Sequence, residues 1–394
     1  MQAAQLWTTL FPIVFSRYPG QEEGRGPLMA KSRYFYCLFL MNSVINIINF
    51  VPRELIDRRF GGALMSILIG TILGTLFVYT FTVLIAKFPG KGFPEIFHSL
   101  LPKKLARTLL VLFAGLWCVA GGVTLLSFVD ITLRFISPDS NPYTVVISFL
   151  VLVCVCCRFD SLSLLYGLEI ILSVTLPLII YGLVKALLNP DFNWDSVLQI
   201  TTYLWHKPDL MSLAAATFSF SGYLNLAIFN RVFHGLKLKH VWIIGVEGLF
   251  VLLLTFLVPI GYFGTVAIDK HVYTWFSTAD SIRIESFIIE RMLFIFYFAY
   301  LSLSLVSVIV HWHGGLELFK GAISSVKKQS PKAERWKEWS ILGLFSAMVL
   351  SLMGLDQYQL NMFGAWFLQI RWFGEMFIIA LLFYCYRKVR RGKL

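Results

Sequence analysis

The sequence predicts an all-α integral membrane protein with ten transmembrane helices, and three observations carry that prediction. Of 394 residues, 57% are hydrophobic and only 14% charged, against about 25% charged in soluble domains; mean hydropathy is +0.73. The apolar residues fall in runs of the length that crosses a bilayer, about 17–25 residues for a helix. The basic residues gather between those runs, mostly on one side. In a soluble chain a net charge of +12 would raise nucleic acid as a partner. Flanking membrane spans, it points to topology and to anionic membrane lipid instead.

Taken in order, the predicted spans are Tyr34–Phe50, Gly61–Ala86, Leu105–Phe135, Tyr143–Cys157, Leu162–Leu188, Met211–Phe233, Val241–Ile268, Ile284–His311, Trp339–Leu355 and Phe363–Tyr386. The first 33 residues lack a short apolar run with a cleavage site, so no signal peptide is expected. Counted on alternate sides of the spans, 24 of the 34 Lys and Arg residues share one side, nine lie on the other, and Arg371 falls within a span. The positive-inside rule then places both termini, and the His313–Glu338 loop, in the cytoplasm. This yields a cytoplasmic segment 1–33, a first membrane repeat 34–188, an extracytoplasmic loop 189–210, a second membrane repeat 211–386 and a basic tail 387–394. Ten spans with both ends inside divide five plus five, with spans 1 and 6 running in opposite directions, the relation of an inverted repeat.

Polar residues inside spans mark the candidate site. Span 6 is interrupted near its middle by Phe218, Ser219, Phe220, Ser221, Gly222 and Tyr223. In hydrocarbon, irregular backbone survives only where protein buries it or it lines a cavity, and transporters use such breaks to hold substrate near the midplane. A straight helix whose Ser and Gly admit a close neighbour is the plainer alternative. Span 1, its counterpart, carries Asn42, Ser43 and Asn46, with Asn49 following on the same helical face. Such a stripe either bonds to neighbouring helices or lines a cavity. Trp117 near the centre of span 3, and Tyr297 and Tyr300 near the centre of span 8, lie too deep for an interfacial belt and complete the candidate set, although core packing accounts for any single one of them.

Ionisable groups within spans are candidates by default, since each costs about 2.5–3.5 kcal/mol at the helix centre on insertion scales. Arg371 and Glu375 stand at i, i+4 in span 10 and are expected to form a structural ion pair, with a gate or ligand contact as the second reading. Glu169 in span 5 and Glu247 in the cytoplasmic third of span 7 are the others of note. Cys154, Cys156 and Cys157 read as small buried hydrophobes. His311 and His313, at i and i+2, point apart on a helix and do not form a metal site. No nucleotide loop or nucleophile elbow occurs and the loops hold no catalytic domain, so neither enzyme activity nor a cofactor is expected.

With these features the chain resembles the B subunits of spore germinant receptors, in the amino acid–polyamine–organocation transporter superfamily. The resemblance rests on Pro52-Arg53 after span 1, on Lys87-Phe88-Pro89-Gly90 and Pro94-Glu95-Ile96 after span 2, and on Phe218-Ser219-Phe220-Ser221-Gly222 in span 6. It implies a five-plus-five inverted repeat with discontinuous helices 1 and 6 and an amino-acid-like ligand at the centre. It also implies assembly with A-type and lipoprotein C-type subunits at the inner membrane of the spore. Relatives often carry an acidic residue where this chain has Tyr223, so the ligand's carboxylate is expected at the span 6 break and its amino end at Asn42, Asn46 or freed carbonyls. The expected pocket lies between spans 1, 3, 6 and 8. An amino acid permease and a non-binding assembly subunit are the alternatives.

Overall fold

The computed structural model describes residues 32–47, 50–233, 235–236, 240–284, 290–323 and 330–392. Asn49 and the amino-terminal segment through Lys31 lie outside the described residues. The order begins with α1 (Arg33–Ile45), α2 (Phe50–Asp57), α3 (Ala63–Ile85), α4 (Phe93–Leu100), α5 (Lys103–Phe135), α6 (Pro142–Cys156), α7 (Ser161–Leu187) and α8 (Trp194–Thr201). It continues with α9 (Leu210–Phe218), α10 (Leu226–Phe229), α11 (Val241–Phe263), α12 (Thr274–Ser281), α13 (Met292–Ile323), α14 (Pro331–Leu352) and α15 (Gln357–Arg390). Among the described residues there is no strand, only one isolated antiparallel bridge between Arg283 and Arg291.

Six helices (α3, α5, α7, α11, α13 and α15) are long and apolar enough to cross a membrane. Two bent pairs raise the number to eight: α1 with α2, meeting at 52°, and α9 with the segment Ser221–Val232, meeting at 61°. α6 is apolar but shorter, with 15 residues, and α14 opens on a charged turn. The protein is an integral membrane protein, and its outer faces expose Ile72 and Leu76 on α3 and Ile170 and Val174 on α7, as lipid contact requires.

The starts of several helices are written in the sequence. Asp160, Asp209 and Asp356 each cap a helix by accepting from the backbone N–H of Ser163, Ser212 and Gln359, satisfying donors the first turn leaves free. Two expected boundaries move, and one expected loop holds a helix. The predicted eighth span ends at His311, whereas α13 runs to Ile323. The ninth begins eight residues earlier than expected, at Pro331, so most of the described part of the expected 313–338 loop is helix. The expected extracytoplasmic loop 189–210 contains α8.

The reason α13 continues is packing. Trp312 sits on Gly121 of α5, where an added Cβ would come within 2.5 Å of its ring, and Trp117 of α5 sits on Gly314 of α13 in the same way at 2.7 Å. Each indole fills the space the opposite glycine leaves, so two helix backbones approach closely. Trp312 Nε1 also donates to Cys118 O at 3.2 Å. This α5–α13 crossing is the centre of the molecule, and the broken span lies against it.

Candidate functional site

The site is built on the break. The α-helix of span 6 stops at Phe218, and Ser221–Asn225 continues as a 3₁₀ turn. Stopping a helix in the membrane frees carbonyls that must find donors. The Phe218 carbonyl receives three: Asn42 Nδ2 at 3.1 Å, Asn46 Nδ2 at 3.3 Å and Ser221 Oγ at 2.7 Å. Asn42 Nδ2 also donates to Ser221 Oγ at 3.2 Å. The asparagines of α1 thus use their amide donors to clasp the break.

Gly222 is pressed against the same helix. A Cβ there would lie 2.7 Å from Leu38 O and 2.9 Å from Phe39 Cα. A ligand carboxylate is expected at this break, but at Gly222 α1 occupies the approach. Below the break, Asn230 Nδ2 donates to Phe88 O and Lys91 O, both at 2.8 Å. The Lys87-to-Gly90 step is thereby held to the end of span 6.

A small cavity, about 40 Å³ measured as the space open to the centre of a water-sized sphere, opens between α5, the 3₁₀ turn, α13 and α15. Leu116, Ala120, Leu224, Phe367 and Ile378 form apolar wall; Ser221, Asn225, His311, Arg371 and Glu375 supply polar groups. Trp117 lines it as well and donates through Nε1 to Asn225 Oδ1 at 3.2 Å. Arg371 is held from several directions. Its Nη1 lies 2.9 Å from Glu375 Oε2, Nη2 donates to Ala214 O at 2.5 Å, and the guanidinium lies 4.8 Å from the centroid of the Phe218 ring. Glu375 Oε1 has no hydrogen-bond partner among the described residues.

Of the eleven residues expected to bind ligand, Trp117, Phe218 and Ser221 line this cavity. Asn42, Ser43, Asn46, Ser219, Gly222 and Tyr223 do not, because α1 and the break pack on each other. Tyr223 is fully buried with its ring 4.9 Å from that of Phe81. Tyr297 and Tyr300 sit elsewhere, Tyr297 bonding to Thr132 Oγ1 at 3.1 Å and Tyr300 packing on Phe296 at 4.3 Å. At 1.5 Å per residue they are roughly 16 Å or more along α13 from His311. The pocket was expected between spans 1, 3, 6 and 8, whereas this cavity lies between spans 3, 6, 8 and 10. Sequence reasoning missed Asn225, although an asparagine six residues past Ser219 within an apolar span was a readable signal. It missed His311 because that residue was read as a span end.

No curated protein matches the chain. Residues 35–354 match the family described as spore germination protein, a match that runs from α1 past the end of α14 and includes the whole broken span. That family is germination-related and transporter-like in character. With most of its length matched, and with an all-helical membrane architecture, this chain belongs to the spore germination protein family.

Proposed function

We propose that this protein is the nutrient-sensing B subunit of a spore germinant receptor, and that it holds a small amino acid in the cavity beside the span 6 break. The observation that carries the reading is a broken span bordering a cavity into which a buried guanidinium and a buried carboxylate both project. A zwitterionic amino acid presents the two complementary charges. The planar guanidinium suits its carboxylate, Glu375 suits its ammonium, and the wall of Leu116, Ala120, Leu224, Phe367 and Ile378 suits an apolar side chain. In this reading the chain has ten spans in two inverted sets of five, cytoplasmic termini and a place in the inner spore membrane. It works there with A-type and lipoprotein C-type subunits, and its basic loops lie on anionic lipid.

The test is thermal stabilisation of the purified protein in lipid nanodiscs by each of the twenty L-amino acids. At least one is expected to raise the melting temperature, and Ala120→Phe, which fills the cavity, is expected to abolish that response while leaving the unliganded melting temperature within a few degrees. No stabilisation by any amino acid would favour a non-binding assembly subunit. Saturable uptake of a labelled amino acid into proteoliposomes would instead make the protein a permease.

A further inference from the structure

Glu247 on α11 lies inside a span, yet both its carboxylate oxygens are buried and accept no hydrogen bond. The polar side chain facing it is Ser43 of α1, whose hydroxyl is also buried and without a partner. Among the described residues no charged side chain stands near to balance a carboxylate. α3, packed along α11, carries no Asp, Glu, Lys, Arg or His; its one titratable side chain, Tyr79, is exposed. On α1, Tyr36 lies one helical stretch below against His240. Arg33, ten residues below Ser43, bonds to Glu169 of α7 at 3.1 Å. The 3₁₀ turn offers Tyr223, itself buried against Phe81. The elements meeting the far end of α11 carry Arg53, Glu54 and Asp57 on α2, Asp195 on α8, Asp269 and Lys270 on the turn Ala267–Lys270, and Asp280 on α12. Trp275 of α12 meets α11 at Thr255 and Phe192, just before α8, meets it at Gly261, eight or more residues beyond Glu247 and thus about 12 Å along the axis. An ionised carboxylate in such a place has neither donors nor a counter-charge, and low-dielectric surroundings penalise it strongly.

We propose that Glu247 is a proton-binding site, and that its proton fastens α1 and α11 onto the span 6 break. In the neutral acid one oxygen carries an O–H that Ser43 Oγ accepts, which gives the hydroxyl and one of the two carboxyl oxygens a partner. The immediate neighbours of this pair both touch the break. Asn42, next to Ser43, holds the Phe218 carbonyl and Ser221 Oγ. Gly248, next to Glu247, lies under the Phe220 ring, which a Cβ there would approach to 2.3 Å. Losing the proton leaves a bare carboxylate that must draw water between α1 and α11, and separating those helices loosens both contacts on the break. Proton binding therefore favours the clasped arrangement, and rising pH favours its release. The inference is independent of what occupies the cavity.

The test uses the full chain in lipid nanodiscs. Infrared spectra of wild type minus Glu247→Gln near neutral pH are expected to show one carbonyl band of a neutral carboxylic acid, lost from wild type as pH rises. Amide hydrogen exchange in 38–47 and 218–226, with the variant compared at each pH so that intrinsic rates cancel, is expected to speed up several-fold with pH in wild type only. Gln is isosteric with the neutral acid and is expected to fold; the pH titration of the wild-type carbonyl band stands on its own if it does not. Absence of that band at every pH, or equal pH dependence of exchange in both proteins, overturns the proposal. Loss of the band on adding Na⁺ or K⁺ at fixed pH also overturns it, since the site would then take a metal cation.

Discussion

Arg371 and Glu375 show what a buried ion pair asks of its surroundings. Arg371 has a second set of partners in Ala214 O and the Phe218 ring, whereas Glu375 has Arg371 alone as a cation within 4 Å among the described residues. Removing one partner of a buried pair costs about 3–5 kcal/mol, because the other charge keeps its desolvation penalty. Arg371→Gln is therefore expected to destabilise the unliganded protein by that amount. Glu375→Gln should cost less, since the guanidinium keeps the carbonyl and the ring. The double change should cost less than Arg371→Gln alone. Thermal unfolding in detergent measures all three, and equal losses would show that the two charges are not coupled. The i, i+4 spacing made this pair legible in the sequence. Its place on the cavity wall was not legible, because which face of span 10 meets the break is decided by packing between helices distant in the chain. The asparagine stripe is the converse case. Its polarity was plain, yet one pattern serves a cavity or a helix contact, and only the position of the Phe218 carbonyl decides between them.

Among the elements, the segment after α2 is fastened to the segment after α11 by a staple on the predicted outer side. Arg59 donates to Asp269 Oδ1 at 2.6 Å and Oδ2 at 2.8 Å, and also to Thr265 O at 2.5 Å. The Arg59 guanidinium beside it, acting mainly through these hydrogen bonds, holds the Asp269 carboxyl below its usual value of 3.8. A depressed folded value gives a contribution that is complete above about pH 3.8 and is lost as pH falls through the lower folded value. Asp269 is half exposed, so solvent screening limits the effect to under about 1 kcal/mol. Asp269→Asn is expected to lower the melting temperature slightly at pH 6 and by less as pH falls toward 2.5, read by differential scanning fluorimetry in an acid-stable detergent. A constant difference between variant and wild type across that range would contradict the assignment. At this scale the sequence located elements better than their ends. His311 to Leu316 looked like a span leaving the membrane, whereas Gly314 and Gly315 keep α13 in contact with α5. Paired glycines beside tryptophans on both helices were the available signal, and it becomes readable only once the two helices are known to cross.

For the molecule as a whole, charge is distributed by side. Arg231, at the end of span 6, reaches Glu95 at 2.8 Å and Glu317 at 2.5 Å. Lys320 reaches Glu317 at 2.9 Å and Glu338 at 3.0 Å, and Arg158 also meets Glu338 at 3.0 Å. This network ties five stretches of chain together on the side where the ten-span reading of the sequence puts 24 of the 34 basic residues. The opposite side has the pairs Arg58–Asp209 and Arg59–Asp269 and the exposed Trp194 and Trp205, rings suited to a headgroup region. Basic loops resist translocation, so the network is expected to face the cytoplasm and α8 the exterior. Single cysteines test this once the six native ones, five of them buried and Cys156 half-buried, have been replaced. In intact cells Thr202→Cys, exposed just after α8, is expected to react with a membrane-impermeant maleimide. Lys332→Cys, exposed at the start of α14, is expected to react only after permeabilisation. The reverse pattern would invert the molecule, putting the Arg231 network outside and the Arg59–Asp269 staple inside. Labelling of both sites in intact cells would mean that at least one of the spans between Leu210 and Ile323 does not cross, and the ten-span arrangement would fail with it.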